Sequence, residues 1–203
     1  MERFGINTKK SFGVSVSEIR KLAKETGKNH RLARRLWKTG IREARILASL
    51  IDDSKAVTEK QMEDWVRGFD SWDVCDLTCS NLFDKTPYAY KKAREWSRRG
   101  EEFVKRAGFV LMAVLSVHDK NAENKKFEQF LPLIKKHSSD ERNFVKKAVN
   151  WSLRQIGKRN LSLNKKAIQV AKEIAEIDSK SARWIARDTL RELTSERVKK
   201  RFN

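Results

Sequence analysis

After a short polar lead-in, apolar residues return every three to four positions along almost the whole chain, the period of an amphipathic α-helix. The pattern predicts helices near 17–26, 30–38, 41–52, 58–69, 72–85, 88–99, 101–119, 124–137, 140–158, 163–177 and 180–194, followed by a basic tail. The breaks between them are short. Ser17, Thr58, Ser71 and Ser139 are placed to cap helix starts, while Gly27, Gly40 and Gly100 follow helix ends. Pro132 lies inside the apolar run FEQFLPLIKK, where the absent N–H and the ring predict a kink or a late start.

A longer period overlies the helical one. FVKRA at 103–107 returns as FVKKA at 144–148, and SLRQI at 152–156 returns as TLREL at 189–193. Spacings of this size in an all-helical chain are those of HEAT-type arrays, where helix pairs stack into a curved solenoid. No linker or low-complexity stretch divides the sequence, so residues 1–203 are expected to form a single all-α domain. One helix of each pair should line a concave face.

Composition agrees with helices and adds a partner class. Only 8 glycines and 2 prolines punctuate 203 residues, too few for a sheet-rich fold with many tight turns. Lysine and arginine number 46 against 27 acidic residues, giving a net charge of +19. That excess points to a polyanion, with nucleic acid ahead of an anionic membrane surface. No apolar run is long enough to cross a bilayer, and the start MERFGINTKK lacks the apolar core of a signal peptide, so a cytoplasmic location is expected. Cys75 and Cys79 read as reduced, packed thiols. His30, His118 and His137 share no ligand spacing with them, so neither metal nor other cofactor is expected.

Three places carry chemistry. In FDSWDVCDLTCSNLF (69–83), Trp72, Asp76, Cys79 and Phe83 fall on one stripe of the predicted helix. A carboxylate there, if unpaired, would have its pKa raised by desolvation, so it must meet a cation from within the chain or from outside. Arg106 is the exception on an otherwise apolar helix, aligned with Val110, Ala113 and Val117. It calls for an anion, with Asp76 or a DNA phosphate as candidates. Gly108 on the same helix marks a close backbone approach. In ERNFVKKAVNWSLRQIGKR, Val145, Val149, Ser152, Leu153 and Ile156 share one side, and Lys147, Trp151, Arg154 and Lys158 gather on the other. An aromatic among cations suits nucleic acid, the cations meeting phosphate and the ring meeting sugar or base.

Four segments carry a resemblance: SWDVCDL at 71–77, FVKRAGF at 103–109, FVKKAVNWSLRQIGKRN at 144–160, and residues 12–51. Together they resemble the DNA alkylation repair proteins, the AlkD-like, HEAT-like-repeat DNA glycosylases. The resemblance runs over nearly the whole chain in order. It implies a right-handed α-α superhelix, a solenoid whose concave basic face holds duplex DNA. It also implies hydrolysis of the N-glycosidic bond of positively charged N3- or N7-alkylated purines by a monomeric, monofunctional enzyme. Carried over by position, Asp76 matches the catalytic acid, Trp72 the aromatic beside it and Trp151 the second aromatic. Arg106 and Arg154 match positions that hold the DNA backbone, and Lys147 and Lys158 flank them. The family engages the lesion from the backbone side and leaves the base stacked. Relatives commonly carry an extra helix before the region matching residues 12–51, close to which this chain begins. A non-catalytic HEAT-repeat module for damaged or branched DNA, and a scaffold for an acidic protein partner, are the competing readings.

Overall fold

The computed structural model describes residues 5–202. The contacts divide the chain into two compact units, residues 1–89 and 90–203. The first holds α1 (Val16–Thr26), α2 (His30–Lys38), α3 (Arg42–Ile51), α4 (Glu59–Val66) and α5 (Trp72–Asn81), closed by a 3-10 turn at Phe83–Lys85. With the second come α6 (Ala89–Trp96), α7 (Glu102–His118), α8 (Asn124–Glu128), α9 (Leu131–Lys136), α10 (Asn143–Gly157), α11 (Leu161–Ala175), α12 (Lys180–Leu193) and α13 (Glu196–Lys199).

The ends of these helices follow local chemistry, with departures from expectation at some of the foreseen serine caps. Thr58 accepts the N–H of Gln61 as foreseen, and Gly27 ends α1 at a positive φ of 68°. The first helix, however, is capped by Ser15 rather than Ser17. Ser15 accepts from the Glu18 N–H, and the Glu18 carboxylate returns to the Ser15 N–H at 3.0 Å, a reciprocal capping box. Likewise α10 begins after Arg142, and Ser139 caps nothing. Pro132 separates two helices: α8 stops at Glu128, and α9 starts afresh with the proline in its first turn, where the missing N–H costs nothing.

In the first unit α3 packs against α1, α2 and α5. Its core is aromatic. Trp37 of α2 stacks on Trp65 of α4 at 4.1 Å, Phe69 meets Trp37 edge-on, and Phe83 closes against Trp65 and Phe69. A buried carboxylate ties the lead-in to this core. Glu43 accepts from the Ser11 hydroxyl and from the N–H groups of Phe12 and Gly13. Burial pushes its pKa up, but these hydrogen bonds outweigh burial and hold it below the usual value.

In the second unit α7 runs along α10, α10 packs on α11 and α12, and α9 packs on α11. The recurring segments start equivalent helices: Val104 and Val145 are both in the core, at the same point of α7 and α10. α7 is buried from Arg106 through Ser116, as its apolar circumference requires. Gly108 is the close approach foreseen in the sequence. A Cβ there would lie 2.3 Å from the Ser97 backbone nitrogen at the end of α6. Asn150, almost fully buried, donates to Asp188 and accepts from Thr189, so its amide is satisfied between α10 and α12.

Candidate nucleic-acid interface

On α5 the carboxylate that takes the structural burden is Asp73. Its Oδ2 accepts from Arg42 Nε at 2.6 Å, and its Oδ1 accepts from the Ser71 hydroxyl and the Val74 N–H. Arg42 also pairs with Glu43 at 3.1 Å. Both Asp73 and Arg42 are under a tenth exposed, so this is a buried pair with its hydrogen bonds completed. Ser71 sits at the N-cap position yet turns its hydroxyl to Asp73 instead of capping.

Asp76, three residues on, is half-buried, and so is Trp72 one turn before it. The two lie on one side of α5 and reach solvent. The stripe foreseen through Cys79 and Phe83 is shorter than expected. Cys79 and Phe83 are fully buried, and α5 ends at Asn81 because Leu82 leaves the helical region. Phe83 therefore belongs to a separate 3-10 turn and packs into the aromatic core. Cys75 and Cys79 are free thiols, and burial pushes the Cys79 pKa well above its usual value.

The remaining predicted residues lie in the second unit. Arg106 is 6% exposed and donates to the Phe144 carbonyl at 2.6 Å, bridging α7 to the first turn of α10. A backbone carbonyl thus takes part of the role the sequence reading assigned to an anion. Phe103 and Phe144 meet beside it at 5.4 Å. Along α10, Lys147 is exposed and Trp151 half-buried, while Val145, Val149, Leu153 and Ile156 are in the core, as the wheel requires.

Arg154 and Lys158 do share the Lys147 side of α10, but they are not bare cations. Arg154 pairs with Asp188 at 2.9 Å and with Glu192, and Lys158 pairs with Glu192 at 2.7 Å. Burial pushes Asp188 and Glu192 up. Asn150 and the arginines Arg154 and Arg191 at Asp188, and Lys158 and Arg154 at Glu192, outweigh it and hold both carboxyls low. Sequence reasoning missed these two acids, although the repeat contained the signal. Aligning SLRQI with TLREL sets Arg154 against Arg191, and Asp188 and Glu192 flank that position. Trp72 and Asp76 thus stand together in the first unit, and Arg106, Lys147, Trp151, Arg154 and Lys158 in the second.

Among the described residues no cluster of three or more His, Cys, Asp or Glu side chains is arranged to hold a metal ion, and no helix is long and apolar enough to cross a membrane. The family model described as DNA alkylation repair enzyme matches residues 1–193. One solved structure, described as a new family of proteins related to the HEAT-like repeat DNA glycosylases with affinity for branched DNA structures, superimposes with a TM-score of 0.77. It is 22% identical, covering 94% of this chain and 86% of that one, which shows an all-helical HEAT-like repeat fold. A designed armadillo repeat protein matches at a TM-score of 0.42 and 13% identity, covering 88% of this chain and 92% of its own. A second, in complex with a (KR)4 peptide, matches at 0.41 and 14%, covering 91% and 88%. No curated protein matches the chain.

Proposed function

The chain belongs to the DNA alkylation repair enzyme family, and from that premise we propose that it is a monofunctional DNA glycosylase for cationic N3- and N7-alkylated purines in duplex DNA. The observation that carries this reading is the placement of Asp76 on α5, half-buried beside Trp72 and reaching solvent, while Asp73 pairs with Arg42 in the interior.

The chemistry needs little more than such a carboxylate. An alkylated purine already carries a positive charge, so it departs as a neutral base when the C1′–N9 bond breaks and the bonding electrons pass to the ring. Positive charge moves to the deoxyribose as an oxocarbenium-like species. Asp76 stabilises that charge and orients the water that bonds to C1′, with the water proton passing to the carboxylate or to solvent. Trp72 supplies a ring face to the cationic sugar and keeps bulk water away, and Trp151 offers a ring to nucleic acid along α10. Lys147, exposed on α10, holds a phosphate, and Arg154 and Lys158 on the same side of that helix add positive field.

The deciding experiment incubates the protein with methylated duplex DNA and identifies the free bases. Release of 7-methylguanine or 3-methyladenine by the wild type, and none by a folded Asp76→Asn variant, is the expected result. Absence of release by the wild type from pH 6 to pH 9 would sink the reading. A second reading is a non-catalytic binder of branched DNA, the affinity described for the solved structure above. It is favoured by the acids that already neutralise Arg154 and Lys158. It predicts preference for a three-way junction over duplex, with no base released.

A further inference from the structure

A cavity of about 220 Å³ opens between α2 and α4, away from the helix that carries Trp72 and Asp76. Its floor is the stacked pair Trp37 and Trp65, whose rings lie within 2° of parallel. On its α2 wall, His30, Arg34 and Lys38 follow one another at four-residue intervals and so share a face. Lys60 and Asp64 come from α4 and pair with each other at 3.0 Å.

His30 is held in a defined way. Its Nδ1 lies 2.6 Å from Oδ1 of Asp52, which is completely buried. The other partners of that carboxylate are donors: Gln61 Nε2 at 2.7 Å and the Asp53 N–H at 2.8 Å. A carboxylate buried among donors acts as acceptor, so the hydrogen resides on Nδ1 and the ring orientation is fixed. The ring edge left to the cavity carries Nε2. Arg34 and Lys38 have no ion pair among the described residues, and both are exposed. An oriented imidazole and two cations without an ion pair among the described residues, set around the stacked Trp37 and Trp65, form a concave site for an oxyanion.

We propose that this cavity is a phosphate-binding site, in which Arg34, Lys38 and His30 donate to the phosphate oxygens. His30, held through Nδ1–H by Asp52, takes a second proton from solvent and donates from Nε2 as the imidazolium, while Gln61 fixes the Asp52 carboxylate. The site is separate from the residues assigned to base release and does not depend on that assignment. The phosphate can be part of a nucleic-acid backbone or a terminal or free phosphate, and the two sources are separated by the test.

Imidazole ¹⁵N–¹H correlation spectra of the full chain are recorded during titration with inorganic phosphate, at fixed pH and with chloride holding ionic strength constant. The His30 Nε2 resonance should shift saturably while those of His118 and His137 stay in place. In the double variant Arg34→Gln, Lys38→Gln the apparent Kd should rise by about tenfold or more, since two charge-assisted contacts are lost. Both side chains are exposed, so the variant should melt with the wild type. Displacement of phosphate by a 5′-phosphorylated duplex alone identifies a terminal phosphate, and displacement by 5′-hydroxyl duplex as well identifies the backbone. A His30 resonance that does not move, three histidines that shift together, or a double variant that binds as tightly as the wild type would each overturn the proposal.

Discussion

Asp73 and Asp76 stand three positions apart on α5, and their surroundings assign them different work. Asp73 is enclosed with Arg42, so Asp73→Asn should cost roughly 3–5 kcal/mol, the usual penalty for breaking one side of a buried pair. Urea denaturation measures it. A folded Asp76→Asn variant should lose base release. A second contrast lies on α10. Lys147 is exposed, so Lys147→Gln should weaken DNA binding and lower the salt slope by about one unit. Arg154→Gln should instead lose stability, because it leaves Asp188 and Glu192 short of a partner, with a smaller change in affinity. Stability and anisotropy titrations on the two variants separate these outcomes. The sequence singled out Asp76 and Lys147 from residue type and helical spacing. It could not show that Asp73 meets Arg42, because that partner lies 31 residues earlier on another helix.

At the scale of elements, most helices were legible because capping, glycine and proline signals are local. The misplacements have both local and long-range causes. Ser15 takes the cap of α1 through its capping box with Glu18, close in sequence. Ser71 turns to Asp73, and the apolar run through Phe83 continues past the end of α5 because the aromatic core draws Phe83 out of the helix. Gly108 offers a test with an unambiguous sign. In an open helix, Gly→Ala stabilises by about 1 kcal/mol. Here the added methyl would meet backbone of Ser97 and Trp96 at under 3 Å, so Gly108→Ala should destabilise by roughly 1–3 kcal/mol or more. Thermal and chemical denaturation report the sign directly.

For the whole molecule the net charge of +19 governs association. If DNA is the partner, log affinity should fall linearly with log salt, by more than about tenfold between 50 and 200 mM. Fluorescence anisotropy with a labelled duplex measures the slope. Acid stability follows from the carboxylates that meet this excess. Burial pushes Asp140 up, but hydrogen bonds from Arg142 and Lys105 outweigh it and bring its pKa down from 3.8 to about 2. A folded-state pKa below the unfolded one contributes stability above pH 3.8, and that contribution is lost as pH falls toward 2. Asp140→Asn should therefore lower Tm at pH 7 and lie close to the wild type at pH 2, in melts monitored by circular dichroism.

The chain by itself determined the helices, the recurring repeat segments, the basic excess and the family motifs, because each is written in residue type and short-range spacing. Tertiary structure alone decided which charges are neutralised within the protein. Arg42 meets Asp73, Arg154 meets Asp188 and Glu192, and His30 meets Asp52, each across 22 or more positions. Helical periodicity gives the direction of a side chain about its own axis. Only packing one helix against another brings two such directions together, and that contact decides which charges are paired within the fold.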